Sequence, residues 1–131
     1  MLRSASDFGI SAGNWKSAKE QARQAMIGRA KVRGQITYSD LVTKISAVRF
    51  DAFDTRLFHL LGEVSVEEHE AGRGMLSAVV VHKHGDMEPG AGFFVLAQHL
   101  GFDAKDQTRF WIEQAKEVYA FWTGARRKIS N

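Results

Sequence analysis

Apolar residues recur at helical spacing along much of this chain. From Asn14, whose side chain suits an N-cap, Trp15, Ala18, Ala22, Ala25 and Met26 fall on one face, and Lys16, Lys19 and Arg23 fall elsewhere. The spacing predicts a helix to about Val32 and a break near Gly34. "QITYS" (35–39) reads as a short β-like segment, after which Ser39 or Asp40 caps a short helix over Leu41, Val42 and Ile45. Asp54 caps the next helix, in which Leu57, Leu60, Leu61 and Val64 lie at i, i+3, i+4 and i+7. Ser65 with Glu68 three residues on is a capping box, so either one helix bends there or two short ones meet. Gly72 and Gly74 end the unit.

The period then changes. "MLSAVVVH" (75–82) is rich in β-branched residues and bounded by glycines, as a buried strand is. "KHGDMEPG" is its turn, with a return segment behind it. "GAGFFVLAQHLGF" reads as a short helix ended by Gly101. Asp103 with Asp106 starts a long final helix whose buried stripe is Trp111, Ala115, Val118 and Trp122.

These elements predict an α+β, mostly helical chain of 131 residues in one domain. An irregular arm (1–13) leads into a core (14–92), and a helical extension (93–131) follows. The core order of helix, strand, helix, helix, strand and turn is that of a winged helix-turn-helix. In such a module the helix before the long strand enters the major groove and the wing lies on the backbone or minor groove.

Composition narrows the classes. No apolar run approaches the roughly 18–20 residues of a membrane span. The first twenty residues lack the apolar core of a secretory signal. The absence of cysteine removes disulfides, thiolate metal sites and cysteine nucleophiles, and is compatible with a cytoplasmic location. Charge is distributed unevenly. Residues 1–50 hold nine Lys/Arg against three Asp/Glu, residues 51–88 hold three against eight, and the remainder holds six against four. Such a chain can meet a polyanion with one side and a basic partner with the other.

From Gly34 to about Gly92 the chain resembles the DNA-binding half of the alkylguanine alkyltransferase and alkyltransferase-like family. "GQITYSDLVTKIS" is similar to that family's G-x-V-x-T-Y-G-D-I-A, "HLLG" to its R-A-V-G, and "MLSAVVVHKHGDMEPGAG" to P-C-H-R-V-V with its glycine-containing wing. The resemblance implies a winged-helix shape in which Tyr38 matches the tyrosine that helps rotate a target nucleotide. His59 stands where the family has the arginine that fills the hole left by the flipped base. Leu76 stands where it has the alkyl-accepting cysteine, followed by Ser77 in place of histidine. With no thiol in the chain, alkyl transfer is excluded.

His82, His84 and Asp86 form an H-x-H-x-D run similar to the first metal motif of metallo-β-lactamase-like hydrolases. That fold normally takes about 200 residues and draws further ligands from separated loops; around His69 and His99 no ligand spacing recurs. A hairpin tip is the plainer reading: Gly85 suits a positive φ, and Lys83 and His84 are placed to touch a phosphate. His59 falls off the Leu57–Val64 stripe and is expected to be exposed; His69, among Glu67, Glu68 and Glu70, is expected to be solvated. No nucleophile–base constellation, P-loop or dinucleotide fingerprint occurs, so neither an enzyme nor a cofactor is expected.

The expected function is a nonenzymatic winged-helix DNA-binding protein in regulation, defence or repair. Lys16, Lys19, Arg23, Lys31, Arg33 and Lys44 would contact phosphates. Arg49 and Arg56 flank the start of the recognition helix, Tyr38 and His59 follow from the resemblance, and Lys83 and His84 sit on the wing. Against this stand Asp51, Asp54, Glu63, Glu67, Glu68 and Glu70, which repel phosphates if they face the groove. The alternative is a protein–protein adaptor or inhibitor of bacterial or phage type. It would engage a basic partner through the acidic 51–70 surface, or dimerise through Trp111, Tyr119 and Phe121 of the last helix.

Overall fold

The computed structural model describes residues 8–83 and 88–125. Its elements are α1 (Ala12–Ala30), β1 (Ile36–Thr37), α2 (Tyr38–Thr43), α3 (Thr55–Glu70), β2 (Val80–Val81), α4 (Ala91–His99) and α5 (Gln107–Trp122), with a 3-10 turn (Leu76–Val79) before β2. The described chain is mostly helical with one small parallel sheet.

Caps set where the helices begin. Asp54 accepts from the Arg56 amide at 2.9 Å and Asp106 from the Arg109 amide at 3.1 Å, as their positions predict. Two starts differ from expectation. Ser11, not Asn14, caps α1, accepting the Asn14 amide at 3.1 Å and moving the start to Ala12. Thr37, rather than Ser39 or Asp40, caps α2 by accepting the Asp40 amide at 3.1 Å. In both cases a hydroxyl three residues upstream satisfies an otherwise orphaned amide. The arm is also less separate than expected, since the Phe8 ring stacks on Trp15 at 5.6 Å.

The capping box at Ser65 does not form. α3 runs unbroken past it, because Ser65 is fully buried and bonds Ser77 instead: the two hydroxyls lie 2.6 Å apart and Ser65 Oγ accepts the Ser77 amide at 3.0 Å. Leu57, Leu60, Leu61 and Val64 are buried as their spacing requires.

The expected strand over 75–82 shrinks to Val80–Val81, paired in parallel with β1 in the register Ile36↔Val80 and Thr37↔Val81. α2 and α3 lie in the connection that parallel strands need. The residues before β2 coil because neighbouring side chains take up their polar groups. Ser65 holds the Ser77 amide, and Trp111 Nε1 donates to the Ala78 carbonyl at 2.8 Å. The 3-10 turn thereby buries all four of its side chains.

That turn joins two apolar clusters. One unites α1, β1, α2 and α3 with Leu76, Val79, Val80 and Val118; the other unites Met75 and Ala78 with Phe93, Phe94, Ala97, Ala104 and Phe110. α5 crosses both. Phe110 and Val118 are its buried residues, whereas Trp111, Ala115 and Trp122 are only half-buried, a correction to the expected stripe. α5 covers the clusters from outside, so its stripe is narrower than its apolar residues suggest. Gly74 makes the close approach possible: it has φ +89°, and a Cβ there would lie 3.1 Å from Val118 Cγ2. Gly74→Ala is expected to lower stability by about 1–2 kcal/mol, read by urea unfolding.

The uneven charge of the sequence meets itself across the α1–α3 seam. Lys19 bonds Glu63 at 3.2 Å and Glu67 at 2.8 Å. Arg23 bonds Glu67 and, at 2.6 Å, Glu68; Arg73 closes on Glu68 at 2.8 Å. Trp15 Nε1 donates to Glu63 at 3.0 Å.

Candidate nucleic-acid interface

β1 and β2 end side by side, which brings the residues following each strand together. Thr37 caps α2 and so makes Tyr38 its first helical residue, with the ring buried and the hydroxyl accepting the Gly90 amide at 3.0 Å. Burial pushes the Tyr38 phenol up, against a smaller lowering by the Gly90 bond. After β2, the His82 ring tilts against Tyr38 at 5.1 Å, and Phe53 stacks on His82 at 6.5 Å with 23° between planes. Phe58 of α3 meets Tyr38 edge-on at 5.8 Å. Tyr38, Phe53 and His82, with Ser39, Ala52 and Lys83, line an open hollow of about 240 Å³. A Cβ at Gly90 would come within 3.3 Å of His82 Nε2 and 3.4 Å of the Tyr38 hydroxyl, so a larger residue there would crowd these two side chains.

The cations expected to touch phosphates separate into groups. Lys44, Arg49 and Lys83 are exposed. So are Lys16 on α1 and Lys31 and Arg33, which lie beyond the opposite end of β1 from Tyr38. None of these six forms a salt bridge among the described residues. Lys19 and Arg23 are engaged in the seam instead. Arg56 is engaged locally: it grips Asp54 at 2.6 Å, donates to the Arg49 carbonyl at 3.1 Å and lies over the Phe50 ring. That side-chain hydrogen bond holds the Asp54 carboxyl below its ordinary range.

The histidines are placed differently from expectation. His59 is half-buried, not exposed, its ring 5.3 Å from Phe8 and its Nδ1 buried without a hydrogen-bond partner among the described residues. The reason is that residue 8 folds back over α3, which the α3 wheel alone does not contain. His69 is half-buried, its ring edge-on to Phe102 at 5.1 Å. His99 is exposed at the end of α4. His84, Gly85 and Asp86, hence the proposed wing tip and two members of the H-x-H-x-D run, lie outside the described residues. Flanking them, the His82 amide donates to the Glu88 carbonyl at 3.0 Å, so the chain doubles back. The return residues 91–99 are helical. No group of three metal-ligating side chains occurs among the described residues.

Leu76, where the resemblance puts the alkyl acceptor, is fully buried in the 3-10 turn. Sequence reasoning missed Phe53, Phe58 and Gly90. Phe53 precedes the Asp54 cap and so falls outside any helical period, and only its juxtaposition with His82 across the fold marks it.

Compared with protein-family models, curated proteins and solved structures, the chain matches none of them significantly. Among the described residues no helix is long and apolar enough to cross a membrane.

Proposed function

We propose that the chain is a nonenzymatic, winged-helix-like nucleic-acid-binding protein whose contact face surrounds Tyr38 and carries Arg49 and Lys83, while Lys44 lies beside Gln21 and Gln24 of α1. The observation that carries this reading is the α1–α3 seam. Glu63, Glu67 and Glu68 point at α1 and are neutralised by Lys19, Arg23 and Arg73. Three of the four glutamates of α3 are thus paired within the fold, and Glu70 alone of them is exposed with no salt bridge among the described residues, which weakens the electrostatic objection to phosphate binding. Asp40 and Asp51 are exposed near the same face, so the net attraction is modest.

The same pairing counts against an adaptor that offers 51–70 to a basic partner. Dimerisation through α5 is disfavoured likewise, since Trp111 and Tyr119 spend their polar groups on the Ala78 and Gly34 carbonyls and Phe121 lies under Arg73.

A titration with duplex and single-stranded DNA at two or more salt concentrations tests the reading. With two phosphate contacts the slope of log K against log salt should be about −1.5 to −2. Arg49→Ala and Lys83→Ala should each reduce its magnitude by about 1, whereas Lys31→Ala, beyond the opposite end of β1 from Tyr38, should leave it unchanged. Failure to bind either form of DNA at low salt would end the proposal.

A further inference from the structure

Phe53 is the most exposed large apolar side chain among the described residues, at 77% of its full accessibility. It is also supported from behind. One side of its ring stacks on His82, His82 leans on Tyr38, and Tyr38 is pinned by the Gly90 amide and by the edge contact of Phe58. A phenyl ring placed this way presents a flat apolar surface to solvent beside the hollow that it helps to line. The hollow, about 240 Å³, exceeds the roughly 150 Å³ that accommodates a benzene ring. Its rim is not apolar: Ser39 and Lys83 border it, and Arg49, four residues before Phe53 in the chain, is exposed.

We propose that Phe53 is a stacking platform for an unpaired nucleobase, whose flanking phosphates are met by Lys83 and Arg49. This rests on the nucleic-acid reading above and names the form of nucleic acid that the face selects. A base presents a π-face whatever its identity, so one exposed aromatic ring gives binding that tolerates sequence and rejects paired bases. An apolar peptide side chain would match the ring but leave Lys83 at the rim without a counterpart, which a nucleotide supplies in the same molecule. A fully paired duplex buries its base faces and offers the ring nothing. The unpaired base can come from a single strand or from a bulge in a duplex, and the two sources share this chemistry.

The test uses the full chain and fluorescence anisotropy at one low salt concentration, with three probes: a perfect duplex, the same duplex with one bulged nucleotide, and one of its strands alone. The bulged duplex or the single strand should bind about tenfold more tightly than the perfect duplex. Phe53→Ala should erase that preference, bringing the affinities for the three probes within about twofold of one another. Phe53→Trp should keep it, with the indole fluorescence quenched on binding. Since Phe53 is solvent-exposed, neither variant disturbs the apolar core. Whichever of the two unpaired probes carries the preference identifies the source of the base. Binding with no preference, or a preference that survives in Phe53→Ala, overturns the platform and leaves the nucleic-acid reading standing. Absence of binding to all three probes overturns both.

Discussion

Glu68→Ala is expected to destabilise the protein by about 3 kcal/mol in urea unfolding, with loss of the buried end of the seam between α1 and α3. Glu68 is 1% exposed and accepts from Arg73 Nε and Nη2 at 2.8 Å and from Arg23 Nη1 at 2.6 Å. Removing it leaves two guanidinium groups facing a void. Arg23 keeps Glu67 and Glu20, and Arg73 can turn toward water, which places the loss at the lower end of the usual range for a broken buried pair.

The same carboxylate makes stability pH-dependent. Burial pushes the Glu68 carboxyl up, but the hydrogen bonds and charges of Arg73 and Arg23 outweigh it and hold it below its ordinary value. Glu67 is lowered in the same way by Lys19 and Arg23. A group whose pKa falls on folding stabilises the folded state above its unfolded value, about 4.3 for glutamate. That contribution disappears as the pH drops through the folded value. The wild-type midpoint should therefore fall on acidification below about pH 4.5, and the Glu68→Ala midpoint should fall less steeply over the same window.

Trp15→Ala is expected to cost about 3–5 kcal/mol. The indole is 5% exposed, stacks on Phe8 at 5.6 Å, meets Phe50 edge-on at 6.4 Å and donates to Glu63 at 3.0 Å. Alanine there opens a cavity beneath the first turns of α1 and strands one side of the Glu63 carboxylate. Trp15→Phe separates the two contributions: it keeps most of the packing and deletes the hydrogen bond, so it should cost about 1–2 kcal/mol. Equal losses in the two variants would mean that the polar contact, not the ring, fastens α1 to α3.

Local chemistry made much of the architecture legible. The Asp54 and Asp106 caps, the Leu57–Val64 stripe and the helix ended at Gly101 follow from spacing and cap chemistry confined to one turn or two. Residues 75–82 were not legible in this way. An apolar β-branched run has the same pattern whether it pairs as a strand or coils between two clusters. Ser65 and Trp111, from elements before and after it, take up its polar groups and leave two residues for the sheet. Ser65 has the sequence of a cap and the environment of a core residue, because Ser77 offers it a partner that local sequence does not contain. At the candidate interface, Tyr38, Arg49 and Lys83 could be named from the sequence, but Phe53 could not.

The sequence by itself determined the long helices, the Asp54 and Asp106 caps, the absence of thiol chemistry and the uneven distribution of charge, since each depends on residue identity within a few positions. The tertiary structure decided which charges remain available. By laying α1 against α3 it consumed Lys19, Arg23 and three glutamates, and by pairing β1 with β2 it carried Tyr38, His82 and Phe53 together. Ion pairing and ring stacking act over a few ångströms of space, and residues that close can be more than forty positions apart in the chain.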